Sequence, residues 1–147
     1  MLLYRPVGLP ELKRIAAAGW RAFPHEAEEP AFRVTLHRAH AEALAKNWHT
    51  GDKDAGFAGF VTEFEVDDAY GRRFPVNHAA GLDDQEMLIA HEQLQNLCEH
   101  LAGPIRVLDA FYGEGFSEQL DAGTGLPREI ASRPAESQAA EAQPPHA

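Results

Sequence analysis

One segment of the chain alternates apolar and polar residues more regularly than any other. Residues 60–66 have the sequence FVTEFEV, in which Phe60, Phe64 and Val66 fall on one face of an extended chain and Glu63 and Glu65 on the other. A period of two residues is the signature of a half-buried β-strand. Because a strand needs partners on at least one edge, this segment predicts a sheet at the centre of the fold.

Shorter segments with helical or extended patterns flank this strand. In chain order we predict a strand at 2–5 ending at Pro6, a helix at 9–16 stopped by Gly19, a strand at 32–36, a helix at 40–48, a loop at 47–56, a short strand at 74–76, a helix at 94–101 closed by Gly103 and Pro104, and a last strand at 105–112. This order of elements is typical of an α+β domain with a substantially antiparallel sheet.

The segment 83–101 is compatible with two structures. Asp83 and Glu86 have the spacing of a capping box, which would begin one long helix through Leu101. Alternatively, residues 86–90 form a strand and the helix begins near His91 or Glu92. The pattern alone supports both.

Composition changes sharply after Gly113. Residues 114–147 are rich in Ala, Glu, Gln, Ser, Pro and Gly, and only Phe116, Leu120, Leu126 and Ile130 offer apolar anchors. Such a stretch buries too little apolar area to offset its ordering entropy. We therefore predict a single α+β domain at 1–113 and a mostly disordered acidic tail at 114–147, with a short docked helix near 116–121 as the alternative.

The charge balance and the absence of targeting patterns narrow the classes of function. The formal net charge is −10, and residues 1–113 carry 11 bases and 17 acids, which disfavours nucleic acid as the default partner. No apolar run approaches the length of a membrane span, and residues 1–14 lack a secretory pattern. We expect a cytoplasmic protein.

Metal binding and cysteine chemistry have little support in the sequence. The eight histidines form no HExxH or paired-cluster motif, and a single cysteine, Cys98, excludes a multi-cysteine zinc site. Cys98 lies among Leu94, Leu97 and Leu101, where a cysteine is usually a small apolar core residue. We predict no metal site.

Two charged residues stand out because apolar residues surround them. Glu86 is followed by MLIA, and Arg5 lies within the apolar segment Leu2 to Val7. A carboxylate entering a strand can face a cleft, and an arginine in an apolar strand points its planar fork at an anion or forms a structural salt bridge, for instance with Glu86 itself.

Read together, several segments resemble small bacterial proteins with an ADP-ribosyltransferase-like fold. The resemblance covers residues 2–113. It includes the opening LLYRP strand followed by a helix and Gly19-Trp20, the FRVTL strand with its alanine-rich helix, the strand 59–66 with the QEMLI segment at 85–89, and the closing strand GPIRV at 103–107. No one of these motifs is specific alone, and their order carries the resemblance.

The resemblance implies split antiparallel β-sheets, two to three helices and a cleft between two small sheets that binds NAD. It implies that Glu86 and Arg5 are catalytic, with Glu86 stabilising an oxocarbenium-like transition state and Arg5 holding a phosphate or ribose. Tyr4, Arg5, Phe32 and Thr35 would bind the NAD, which is a substrate here. The chain departs from the family pattern in lacking a clear Tyr or Ser on the second strand and an ExE or QxE motif at Glu86.

These departures leave two functions open. The first is an NAD-dependent ADP-ribosyltransferase whose ligands are NAD or ADP-ribose. The second is a catalytically degenerate binding or immunity-like protein whose acidic body engages a protein partner. Whether Arg5 and Glu86 share a cleft distinguishes the two.

Overall fold

A computed structural model describes residues 1–24, 31–78 and 85–131. The elements within these ranges are β1 (Leu2–Gly8), α1 (Leu9–Ala17), β2 (Phe32–Thr35), α2 (Arg38–Asn47), β3 (Ala58–Glu65), α3 (Asp68–Gly71), β4 (Val76–His78), β5 (Gln85–Ile89), α4 (His91–Glu99), β6 (Arg106–Tyr112) and α5 (Arg128–Ala131). Two short 3-10 turns, His49–Gly51 and Lys53–Ala55, follow α2. The predicted α+β class is confirmed.

The strands form one antiparallel sheet in the order β4-β5-β2-β1-β3-β6. Pairing is uneven across it. β1 and β3 pair over their whole length, from Leu2↔Glu65 to Gly8↔Gly59, whereas β1 and β2 share the single pair Tyr4↔Thr35. The described strands therefore form one continuous six-stranded sheet, whereas the resemblance implied two sheets. The sheet nevertheless has two three-stranded halves, β4-β5-β2 and β1-β3-β6, which are joined by one residue pair.

The first two elements follow their local sequence closely. β1 continues through Pro6 to Gly8, past the predicted end, because its pairing with β3 extends that far. α1 begins at once with Pro10 in its first turn, where a missing N–H costs nothing. Gly19 has a φ of 71°, the left-handed conformation expected of a helix stop.

The main core lies on the face of the sheet that packs against α1 and α4. Leu12, Ile15, Phe60, Phe64 and Leu97 are all fully buried there. Fully burying an apolar side chain of this size is worth about 1.5–3 kcal/mol. These side chains come from the alternating and helical patterns of the sequence, so the core lies where the patterns predict it.

Helix α2 packs on the opposite face at very short range. Ala41 and Ala45 are fully buried against Val61, and a Cβ added to Gly59 would lie 2.2 Å from the Ala45 carbonyl oxygen. A side chain at residue 59 would push the helix away, since real Cβ contacts are never that short. Small residues on both elements thus bring α2, and the side chains at its edge, close to the sheet.

The ambiguous segment 83–101 adopts the strand-plus-helix alternative. Residues Gln85–Ile89 form β5, and α4 begins at His91. β5 pairs with β2 on one side and β4 on the other, and these pairings override the local tendency to continue a helix. Asp83, the N-cap of the other alternative, lies outside the described residues.

Packing extends beyond the expected boundary at Gly113. Ile130 in α5 is 1% exposed and belongs to the core, with Phe116 and Leu126 packed against it. Lys13 of α1 forms ion pairs with Glu118 and Glu129. The packed chain therefore reaches at least Ala131, and the remainder of the predicted tail, 132–147, lies outside the described residues.

The described helices are all short. Within the described ranges the longest has ten residues, and none combines the length and apolar character that crossing a membrane requires.

Candidate functional site

A cavity of about 660 Å³ lies at the junction of the two sheet halves. Its walls come from β1, β2, β5, the start of α1, the end of α2 and the first 3-10 turn. Cavities of roughly 300–1,000 Å³ are typical of small-molecule sites. Arg5 and Glu86, which the sequence singles out, both line it.

Arg5 is 6% exposed and fully engaged with protein groups. Its Nε and Nη2 donate to the two carboxylate oxygens of Glu11 at 2.7 and 3.0 Å, and its Nη1 donates to the Arg33 carbonyl oxygen at 2.8 Å. The guanidinium carbon also lies 4.2 Å from the centre of the Phe32 ring. Of the two roles expected for Arg5, anion binding and a structural salt bridge, the structure shows the salt bridge. Its partner is Glu11 and not Glu86.

The hydrogen bonds of Arg5 stabilise the junction between β1 and β2, where the two strands share only one backbone pair. Arg5 shares the α1 side of β1 with Leu3 and Val7, and its fork reaches across to the β2 backbone. A bidentate arginine–carboxylate pair has well-defined geometry. Arg5 thus links β1, β2 and α1 at the point where β1 and β2 share one residue pair.

Glu86 lies on β5, directly opposite Thr35 of β2, and its side chain is 13% exposed. Its Oε2 is 2.8 Å from His40 Nε2, and its Oε1 is 3.5 Å from Arg33 Nε. His40 comes from α2, so the close packing of that helix determines where the Glu86 carboxylate sits. The carboxylate is held by two nitrogen groups at the wall of the cavity.

The other predicted NAD-binding residues have separate placements. Thr35 lines the cavity, but its hydroxyl is buried and donates to the Gln85 carbonyl oxygen at 2.8 Å. Phe32 is 2% exposed and lies in the core beneath Arg5. Tyr4 packs against Ala41 and Ala45, where burial and then the nearby Glu63 raise the pKa of its phenol. Neither Phe32 nor Tyr4 lines the cavity.

Sequence reasoning did not select four residues that line the cavity or hold Glu86. Arg33 lines the cavity with a side chain that is 62% exposed, and Trp48 lines it at 69% exposure. Glu11 is the partner of Arg5, and His40 is the partner of Glu86.

The alternation of β2 carried a signal for Arg33. It lies with Thr35 on the face of the strand opposite Phe32 and Val34.

Cysteine and metal chemistry find no centre in the part of the chain described. Cys98 is half-buried on α4, outside the cavity, and burial raises the pKa of its thiol. Residues 1–24, 31–78 and 85–131 contain no group of three or more His, Cys, Asp or Glu side chains placed to hold a metal ion.

No family model matches the chain, and no match was found among curated proteins or solved structures.

Proposed function

We propose that this cavity binds NAD and that the chain is an ADP-ribosyltransferase-like protein in which Glu86 assists cleavage of the nicotinamide–ribose bond. One observation carries the proposal. Arg5 and Glu86, 81 positions apart in the sequence, line one cavity at the junction of two three-stranded sheet halves. The sequence resemblance implied a cleft in that position with those two residues.

The proposed chemistry depends on a carboxylate placed before the bond breaks. When the bond between ribose C1′ and the nicotinamide nitrogen breaks, its electron pair leaves with neutral nicotinamide and positive charge develops on the ribose. A nucleophile then forms the new bond to C1′ and loses a proton; with NAD alone in solution that nucleophile is water, and the product is ADP-ribose. A carboxylate held beside that ribose stabilises the charge without reorganising. The 2.8 Å hydrogen bond between His40 Nε2 and Glu86 Oε2 supplies the required orientation, and the Arg33 guanidinium lies farther away, at 3.5 Å from Oε1.

Arg5 acts in this proposal as a positioning residue. Its three bonds to Glu11 and the Arg33 carbonyl keep β2 in register beside β1. The Arg5 hydrogen bonds thereby keep the wall of the cavity that carries Glu86 at a fixed distance from the wall formed by β1. A displacement of about 1 Å between reacting groups lowers a reaction rate substantially.

The cavity also offers apolar surface for a planar ring. Trp48 and Leu88 line it with 69% and 42% of their surface exposed. A ligand that covers these side chains gains the free energy of burying their apolar surface. We assign to Trp48 the role of stacking on the nicotinamide ring, because Phe32, the aromatic residue of β2 that the resemblance placed among the NAD-binding residues, lies in the core.

A second candidate, a protein that binds the nucleotide without turnover, is favoured by one observation. The Arg5 guanidinium is already bonded to Glu11, so it does not offer its fork to a phosphate as the family pattern implies. Nicotinamide release distinguishes this candidate from the enzyme.

The experiment incubates purified protein with NAD and measures nicotinamide release by chromatography. We expect release by the parent protein and a loss of about 100-fold in Glu86→Gln, the size of effect seen when one transition-state contact is removed. Glu92→Gln, an exposed substitution on α4 outside the cavity, should match the parent. Binding of NAD without release supports the second candidate, and no binding contradicts both.

A further inference from the structure

We infer that Arg33, rather than Arg5, is the anion-binding residue of the cavity, and that it takes the diphosphate of a nucleotide ligand. The identity of that nucleotide as NAD rests on the proposed function. The assignment of Arg33 rests on how the two arginines are bonded.

The two guanidinium groups at the cavity differ in how much hydrogen-bonding capacity their partners use. Arg5 donates from Nε, Nη1 and Nη2 to protein oxygens and is 6% exposed. To bind a phosphate it would have to leave Glu11, and separating a buried ion pair is costly. A ligand anion therefore gains little from Arg5.

Arg33 has the opposite arrangement. Its side chain is 62% exposed, and among the described residues its one ion-pair partner is Glu86, at 3.5 Å from Nε. The guanidinium forms no hydrogen bond to any residue in the described ranges. Its fork can therefore add a bidentate contact to a phosphate without losing a strong one.

The backbone of Arg33 is nevertheless well anchored. Arg33 pairs with Leu88 of β5, and its carbonyl oxygen accepts the Nη1 hydrogen bond from Arg5. Because the Arg33 backbone is already ordered, less conformational entropy is lost when its guanidinium binds a ligand. The bond from Arg5 thus supports the residue that we assign to the anion.

The charges around Arg33 indicate which kind of anion fits. Arg5 and Glu11 neutralise each other, which leaves the Arg33 guanidinium beside the Glu86 carboxylate. A carboxylate attracts sugar hydroxyls and repels a bare anion placed against it. The Arg33 guanidinium and the Glu86 carboxylate together therefore match a ligand whose phosphates lie next to ribose hydroxyls. They disfavour free inorganic phosphate, which has no hydroxyl-bearing sugar to place against Glu86.

Paired ligands with and without phosphates test this assignment. Calorimetry would measure the affinities of ADP-ribose and of nicotinamide riboside, which lacks phosphate, for the parent protein and for Arg33→Ala. We expect Arg33→Ala to weaken ADP-ribose binding by about 10- to 100-fold, the loss of charge-assisted hydrogen bonds, and to change nicotinamide riboside binding less than about threefold. Arg33→Lys should recover only part of the loss, because it keeps the charge without the fork.

Arg72→Ala is the matched control. Arg72 is 73% exposed and has a 3.9 Å ion pair with Asp68, so it resembles Arg33 in exposure and pairing but lies outside the cavity. It should bind both ligands as the parent does.

Three results would overturn the assignment of Arg33. They are equal affinity of Arg33→Ala and parent for ADP-ribose, an equal loss for both ligands, and no binding of ADP-ribose by the parent. The first leaves the proposed function standing with another anion site. Phosphate-dependent binding through Arg33 without nicotinamide release supports the assignment and contradicts the enzyme.

Discussion

Glu86 Oε2 lies 2.8 Å from Nε2 of His40, and this contact joins β5, the second strand from one edge of the sheet, to α2. The two residues come from β5 and α2 and are each less than 15% exposed. His40 is brought there by the close contact of α2 with β3 at Gly59 and Ala45. The position of the candidate catalytic carboxylate thus depends on small residues elsewhere in the fold.

Replacing His40 should impair the reaction more than it impairs binding. We expect His40→Ala to lower kcat for nicotinamide release about 10-fold, the value of one lost hydrogen bond to a charged group, with KM nearly unchanged. His40→Gln should recover part of the rate because its amide can still donate. A His40→Ala variant with parental kcat would contradict the role given to His40, and His100→Ala, at the exposed residue that follows α4, serves as the control.

The buried pair of Arg5 and Glu11 should be strongly coupled. We expect Arg5→Met to lower the free energy of unfolding by about 3–5 kcal/mol, because it leaves the Glu11 carboxylate buried without its partner. The double variant Arg5→Met/Glu11→Leu should be markedly more stable than Arg5→Met alone. Urea unfolding measures both.

A surface pair offers the comparison. Arg38 and Glu42 are each more than 40% exposed, and Glu42→Ala, which leaves the ion pair of Arg38 with Asp109 in place, should cost about 0–1 kcal/mol. Additive losses from Arg5→Met and Glu11→Leu would contradict the coupling at the junction of β1 and β2.

Trp48 should contribute to ligand binding and little to folding. Its ring is 69% exposed, so Trp48→Ala should change the free energy of unfolding by about 0.5 kcal/mol or less. Loss of an aromatic stacking surface should weaken NAD binding by about 1–3 kcal/mol, which is about 5- to 150-fold. Trp48→Phe should bind nearly as the parent does, whereas equal affinity of Trp48→Ala and parent would remove Trp48 from the site.

Tyr112 gives the fold a defined response to alkaline pH. Burial raises the pKa of its phenol to about 12, and the hydroxyl donates to the Gly125 carbonyl oxygen at 2.6 Å. The unfolded phenol ionises near pH 10. Because the folded pKa is the higher one, the stability due to the neutral phenol is complete below about pH 10 and is lost as the pH rises towards 12.

The difference in unfolding free energy between parent and Tyr112→Phe should therefore shrink between about pH 9 and pH 11. Urea unfolding at both values measures it. The other tyrosines titrate in both proteins and cancel in the difference. A constant difference would mean that the Tyr112 phenol ionises at the same pH in the folded and unfolded states.

Local patterns predicted the elements well because each depends on neighbours in sequence. The alternation of residues 60–66 and the apolar spacing of Leu12 and Ile15 lead directly to β3 and α1. The segment 83–101 was ambiguous for the opposite reason. Its strand is determined by pairing with β2, more than 50 residues earlier, and no local pattern contains that information.

The candidate site also depends partly on local sequence and partly on pairing between strands that are far apart in sequence. Glu86 and Arg5 stood out locally as charges in apolar surroundings, but their shared cavity arises from the register Thr35↔Glu86 and the single pair Tyr4↔Thr35. The face of Arg33 followed from alternation in β2, and the resemblance drew attention to Phe32 instead. Trp48 continues the helical spacing of α2, yet the helix ends at Asn47 and the indole lies exposed.

The central claim is that NAD binds at the junction of the two sheet halves, and amide chemical-shift mapping tests it most directly. On titration with NAD, we expect the largest shifts at residues 33–35, 44–49 and 86–88, with the indole N–H of Trp48 among them and the buried Trp20 indole little changed. Shifts concentrated along β6 and residues 114–131, or no shifts at saturating NAD, would contradict it.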